Sequence, residues 1–144
     1  MPKAIPDGFH SITPYLIVND LSELIHFIVP AFNANVTSQI NDPDGKPMQI
    51  EVQVGDSMIM AAQARDGTPA IPCMRYVYVE DCDQVFNDAI AAGGEAVMEP
   101  DNMFYGDRHG GLKDPCGNQW WIATHVEDVS SEEIQRRMLE QMDA

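Results

Sequence analysis

The chain has 144 residues, 44% of them hydrophobic and 22% charged, which suits one globular domain or two small repeated units sharing a core. Its formal net charge of −15, with only eight Lys plus Arg, argues against nucleic acid or an anionic membrane surface as a partner. No apolar run nears the roughly 20 residues that span a bilayer and the first residues lack a signal-peptide core, so a cytoplasmic location is expected.

In chain order, Tyr15–Val18 reads as a strand, rich in aromatic and β-branched residues. Asp20 is placed to cap a helix whose apolar face is Leu21, Leu24, Ile25, Ile28 and Phe32, at helical spacing. Pro30 should kink or shorten that helix. Three strand-like segments follow, 35–41, 47–54 and 57–62, separated by the turn signals Asp42-Pro43-Asp44-Gly45 and Gly55-Asp56. In the middle segment Met48, Ile50, Val52 and Val54 alternate with Gln49, Glu51 and Gln53, the period of a half-buried strand.

The pattern then recurs. Residues 73–97 follow residues 12–36 at an offset of 61: Val18-Asn19-Asp20 falls on Val79-Glu80-Asp81, Leu24 and Ile25 on Val85 and Phe86, and Val36 on Val97. A second strand, Tyr76–Val79, leads into a helix with Val85, Phe86, Ala89 and Ile90 that should stop at Gly93-Gly94. Strands are expected at 95–99, about 108–113 and 119–124, the last after the turn Asp114-Pro115-Cys116-Gly117. Each copy is a βαβββ unit. The tail, 127–144, holds a helix candidate with Ser130 or Ser131 as cap and Ile134, Met138 and Met142 as a modest stripe. Cys73, Cys82 and Cys116 fit neither a disulfide framework nor a zinc pattern and are read as reduced, mostly buried thiols.

Two βαβββ units in this length, with Gly8-Phe9-His10-Ser11-Ile12-Thr13-Pro14-Tyr15, Phe104-Tyr105-Gly106-Asp107-Arg108, Asp114-Pro115-Cys116-Gly117-Asn118-Gln119-Trp120-Trp121 and Ala123-Thr124-His125-Val126-Glu127-Asp128-Val129, resemble the PhnB-like branch of the vicinal oxygen chelate superfamily, the glyoxalase/bleomycin-resistance/dioxygenase proteins. The resemblance covers about residues 8–135 and implies one α+β domain. Unit one spans about 8–64 and unit two about 72–126. Together they would form a cup-shaped, eight-stranded mixed sheet with helices outside. A homodimer, often with units paired across chains, is also implied.

Metal-dependent members carry ligands on the opening and closing strands of each unit. The opening positions here are Thr13 and Met74, and the closing strands read Ser57-Met58-Ile59-Met60-Ala61-Ala62 and Gln119-Trp120-Trp121-Ile122-Ala123-Thr124, with no carboxylate or imidazole. The usual metal is therefore expected to be absent, as is any other cofactor, since Met is a soft ligand and a metal needs three or four donors. His10, His26, His109 and His125 lack paired spacing and are read as structural or solvated.

Alternation from Thr13 and Met74 turns Tyr15, Ile17, Tyr76 and Tyr78 toward the cup, with Gln49, Glu51 and Gln53 from the third strand and Trp121 and Ala123 from the last. Asp101–Gly111 reads as a long, polar, aromatic loop of the kind that carries function, placing Tyr105, Asp107 and Arg108 at the site. Arg108 either clamps an anionic ligand group or pairs internally with Asp107 or Glu99. Of Trp120 and Trp121, one must face each side of the sheet; Trp121 is expected to share a ligand pocket with Arg108. Two function classes stay open: a protein that binds a small, partly aromatic molecule, or a divalent-metal-dependent or Glu51-assisted lyase, isomerase or dioxygenase. A subunit or regulator acting through the C-terminal helix is a more distant reading.

Overall fold

The computed structural model describes residues 1–143; Ala144, the last residue of the expected tail, lies outside them. Unit one comprises β1 (Tyr15–Val18), α1 (Leu21–Phe32), β2 (Asn35–Asn41), β3 (Pro47–Val54) and β4 (Ser57–Gln63), and unit two β5 (Met74–Tyr78), α2 (Cys82–Ala91), β6 (Glu95–Asn102), β7 (Asp107–Lys113) and β8 (Gln119–His125); α3 (Ser131–Met142) follows. The eight strands make two four-stranded mixed sheets of identical order, β1-β4-β3-β2 and β5-β8-β7-β6. In each the first strand runs parallel to the fourth, and the other pairings are antiparallel. The fold is α+β, built from two repeated units. No helix is long and apolar enough to cross a membrane among the described residues.

Both helices start as their sequences dictate. Asp20 and Asp81 sit in extended backbone and accept from the amides of Glu23 and Gln84, satisfying N–H groups that the first turn leaves free. The α1 face is Leu21, Leu24, Phe27, Ile28 and Ala31, so Phe27 replaces Ile25 and Phe32 in the most buried register. Pro30 does not shorten α1, which runs on to Phe32 and ends at Asn33 in the left-handed region. Pro30 lies in the last turn, on the exposed side, where the lost hydrogen bond is one the helix end would soon forgo.

Helices cover one face of each sheet and leave the other open. Ile50, Val52 and Val54 of β3, Leu16 and Val18 of β1, and Leu112, Trp120 and Ile122 of unit two share one buried core with α1 and α2. Trp120 is the hinge of that core. It is fully buried, its ring centroid lies 5.0 Å from Phe32 and 6.2 Å from Phe27 of the other unit, and its Nε1–H donates to Asp114 Oδ2 at 2.8 Å. Asp114 Oδ1 meanwhile accepts the amides of Cys116 and Asn118, so the Asp-Pro-Cys-Gly turn is built around the carboxylate that anchors the indole.

The segment Asp101–Gly111 corrects the expectation of a long loop. Asp101 and Asn102 still belong to β6, paired with His109 and Arg108 of β7, and the connection shrinks to residues 103–106. Register shifts between Ala96 and Met98 and between Met98 and Asp101 let Pro100 fit, so a polar stretch that reads as loop forms a hairpin. Trp120→Ala should cost about 3–5 kcal/mol of stability, the range for a large aromatic core truncation, measured by urea unfolding; a loss below 1 kcal/mol would contradict its place at the seam.

Candidate functional site

The open face of sheet two carries the densest polar cluster. Asp107, at the start of β7, is only 3% exposed. Its Oδ2 accepts the hydroxyls of Tyr76 and Tyr78, each at 2.8 Å, and its Oδ1 lies 2.9 Å from Nδ1 of His125. His109, two residues on and on the same face, is 8% exposed, with Nδ1 3.1 Å from the Tyr76 hydroxyl and 3.0 Å from that of Tyr105. Trp121 packs its ring 5.1 Å from the His109 ring, opposite Gly111 and Tyr76 in register. A Cβ at Gly111 would run into the Trp121 indole at 2.7 Å, so the glycine makes room for the ring.

Burial alone would raise the Asp107 pKa, but the hydrogen bonds from His125, Tyr76 and Tyr78 outweigh it and hold the carboxyl below the usual range. Desolvation, and then the hydrogen bond to Tyr105 and that to Asp107, push the Tyr76 phenol far up; Tyr78 is raised chiefly by Asp107. Desolvation lowers His109, opposed by the charge of Asp107. His125 is raised, first by Asp107 and then by Asp128, whose Oδ1 is 2.8 Å from its Nε2. Near neutral pH the cluster thus holds a carboxylate, the neutral phenols of Tyr76 and Tyr78 and a neutral His109 beside an indole.

Of the residues expected at the site, Tyr76, Tyr105, Asp107 and Trp121 meet here. Arg108 does not. Its neighbours in the strand face the open side, so it faces the helix, where Nε and Nη2 donate to both carboxylate oxygens of Asp83 at 2.9 and 3.1 Å and Nη1 reaches Asn102. The expected pocket of Arg108 with Trp121 is therefore corrected, and the internal partner is Asp83 rather than Asp107 or Glu99. Tyr15, Gln49 and Glu51 lie on the open face of sheet one, Glu51 opposite Met60 and Gln49 opposite Ala62. Thr13 is half-buried just ahead of β1 and Met74 is exposed. No hydrogen bond or ring contact joins these to the cluster among the described residues. His109 and His125 are the additions, His109 discernible only through its strand parity with Asp107.

Among the described residues no three His, Cys, Asp or Glu side chains converge as a metal ion would require. The donor set on the open face of sheet two is mainly phenolic, and the phenols are already engaged with Asp107 and His109. Neither the buried Cys82 nor the half-buried Cys116 is a poised nucleophile: desolvation raises Cys82 and pushes Cys116 up to about 11.

The model of the Glyoxalase/Bleomycin resistance protein/Dioxygenase superfamily matches residues 8–122. The chain belongs to that superfamily. It is 30% identical to an uncharacterized protein of Mycobacterium bovis, over 92% of this chain and 95% of the relative. The fold is shared by TioX of Micromonospora (18% identity, TM-score 0.66, covering 84% of this chain and 100% of that one). It is shared also by a PhnB protein of Bacillus cereus (17% identity, TM-score 0.60, covering 80% and 99%), which places a PhnB-type structure among the neighbours of this superfamily member.

The two histidines respond to pH in opposite senses. His109 binds its proton more weakly folded than unfolded, so it favours the fold fully above about pH 6.5 and loses that contribution as pH falls through its lowered value. His125 is the reverse: its contribution is present below 6.5 and lost as pH rises through its raised value. A ring-proton NMR titration should give midpoints on either side of 6.5, and Asp107→Asn should lower that of His125. Midpoints in the opposite order would refute the assigned network.

Proposed function

We propose that the protein binds a small, partly aromatic molecule on the open face of sheet two, in the cytoplasm and without the usual family metal. The observation that carries this reading is the preorganised cluster itself: a buried carboxylate holding Tyr76 and Tyr78 in place beside His109, with the Trp121 indole as the adjoining platform. Large aromatic faces with a few fixed polar groups are the ordinary makeup of a small-molecule site. Exposed Tyr15, Met74 and Tyr78 make the open faces suited to closure by a second copy, and a homodimer is part of the proposal.

Trp120→Phe leaves Trp121 as the sole tryptophan. Its fluorescence should be saturably quenched by a member of a panel of phenols, aromatic acids and bleomycin, and Trp121→Ala should weaken the same ligand by about 2 kcal/mol, the burial value of a large apolar side chain. No saturable quench across the panel would overturn the reading.

Two further measurements bear on it. Elemental analysis of untagged protein should find no stoichiometric metal; one zinc, nickel, manganese or iron per chain would favour the metal-dependent enzyme instead. Light scattering should give about twice 16.0 kDa, and a monomer at micromolar concentration would count against closure by a second copy. An acid–base enzyme has one observation in its favour, the neutral His109 between two phenols. Glu51, the carboxylate suggested as base, stands on the other sheet with no side-chain partner among the described residues.

A further inference from the structure

A cavity of about 650 Å³ lies between the turn joining β3 to β4 and the strand β5. It adjoins the open-face cluster through Tyr76 and Tyr78 of β5, which line both, but Trp121, His109 and Asp107 do not line it. Its apolar lining includes core material, Trp120 and Phe32 together with Val77 of β5 and Val79 just beyond it, on the helix-facing side. The turn contributes Val54–Ser57 on the other side.

One cation lines this space, Arg75. It shares a face with Val77 and Val79, and its backbone is opposite Trp120 in register. Its Nη1 donates to the Met74 carbonyl at 3.1 Å, while Nε is buried with no partner among the described residues. No carboxylate forms an ion pair with it among the described residues; Lys46, Arg65 and Lys113 also lack one but are exposed, whereas Arg108, Arg136 and Arg137 are paired. In a chain with 23 Asp plus Glu against eight Lys plus Arg, a half-buried guanidinium beside a largely apolar cavity, with no carboxylate in direct contact, has room for an anionic partner.

We propose that this cavity is a ligand site for an amphipathic monocarboxylate, whose carboxylate pairs with the Arg75 guanidinium and whose apolar body rests against Phe32, Val77 and Val79, with Trp120 directly behind Phe32. A guanidinium presents a planar fork that matches a carboxylate. The choice of a monoanion follows from Asp56 and Glu80, exposed carboxylates that also line the cavity: their field opposes a dianion such as a phosphate monoester more than a single charge. The partly exposed Phe32 ring beside Val77 and Val79 selects for a hydrophobic body of ring size.

The test uses 4-phenylbutyrate and its uncharged primary amide on the full chain, followed by calorimetry and by the two indole N–H signals in NMR, assigned with Trp120→Phe and Trp121→Phe. Phenylbutyrate should shift the Trp120 indole and the Arg75 Nε–H signals and leave the Trp121 indole in place. The amide should bind at least tenfold more weakly, and Arg75→Met should lose at least tenfold for the acid while Arg75→Lys loses less. The idea is overturned if acid and amide bind alike, if Arg75→Met binds the acid as the parent does, if no binding occurs at millimolar concentration, or if the shifts centre on Trp121 and His109. The acid–amide comparison needs no variant, so a misfolded Arg75→Met protein leaves the test intact. Failure here leaves the open-face reading standing, since that rests on Trp121 quenching.

Discussion

The indole of Trp120 is fixed at both ends. Its N–H is held by Asp114 within unit two, and its rings lie against Phe27 and Phe32 of unit one. No backbone ladder joins the two sheets, so hydrophobic burial around this side chain has to keep the units together, and it does so from the helix-bearing faces. That arrangement leaves the opposite faces uncovered. A sheet buried on one face alternates apolar-in and polar-out, and β3 follows the rule, but β5 carries Met74, Tyr76 and Tyr78 on its exposed side. Aromatic and apolar groups spent on an open face are the mark of a surface meant to meet something.

The fold was largely legible because it is written twice. Alternation in 48–54, acidic caps at Asp20 and Asp81 and the turns at Gly55 and Gly117 are local signals, and local signals survive into the structure. The site was legible only in part. Tyr76 and Trp121 follow from strand parity. Arg108 was misplaced because the strand expected from about 108 had no parity fixed at its first residue; β7 starts at Asp107, and with Asp107 and His109 on the open face Arg108 must turn away from both. His109 was hidden for another reason. Its partners are Tyr76, 33 residues earlier in the chain, and Tyr105, and sequence spacing cannot announce a partner brought in by sheet pairing.

Electrostatics separate the two regions of unit two. On the open face a single carboxylate is neutralised by donors, and the phenols around it stay protonated. On the helix side Arg108 pairs conventionally with Asp83, while Arg75 is left without an ion pair. The C-terminal helix belongs to the first of these: Arg137 donates to the Phe104 carbonyl and pairs with Glu127, bracing the short turn that presents Tyr105. Gly106, in that turn, has φ of +104°, and a Cβ there would strike the Glu127 carbonyl, so the brace and the turn fit only with glycine.

The four sheet edges are guarded unequally. Along β1 the linker adds a bridge, Ile71 to Ile17. Both β2 and β6 are interrupted by register shifts, which spoil an edge as a template, and β6 adds Pro100 and three acidic side chains. The five residues of β5 keep a regular register and have no such cover. Mutual repulsion between copies bearing fifteen negative charges shields that edge in dilute salt. Raising the ionic strength removes the shield, so concentrated brine is the condition under which this protein is most prone to add a foreign strand and begin to self-associate.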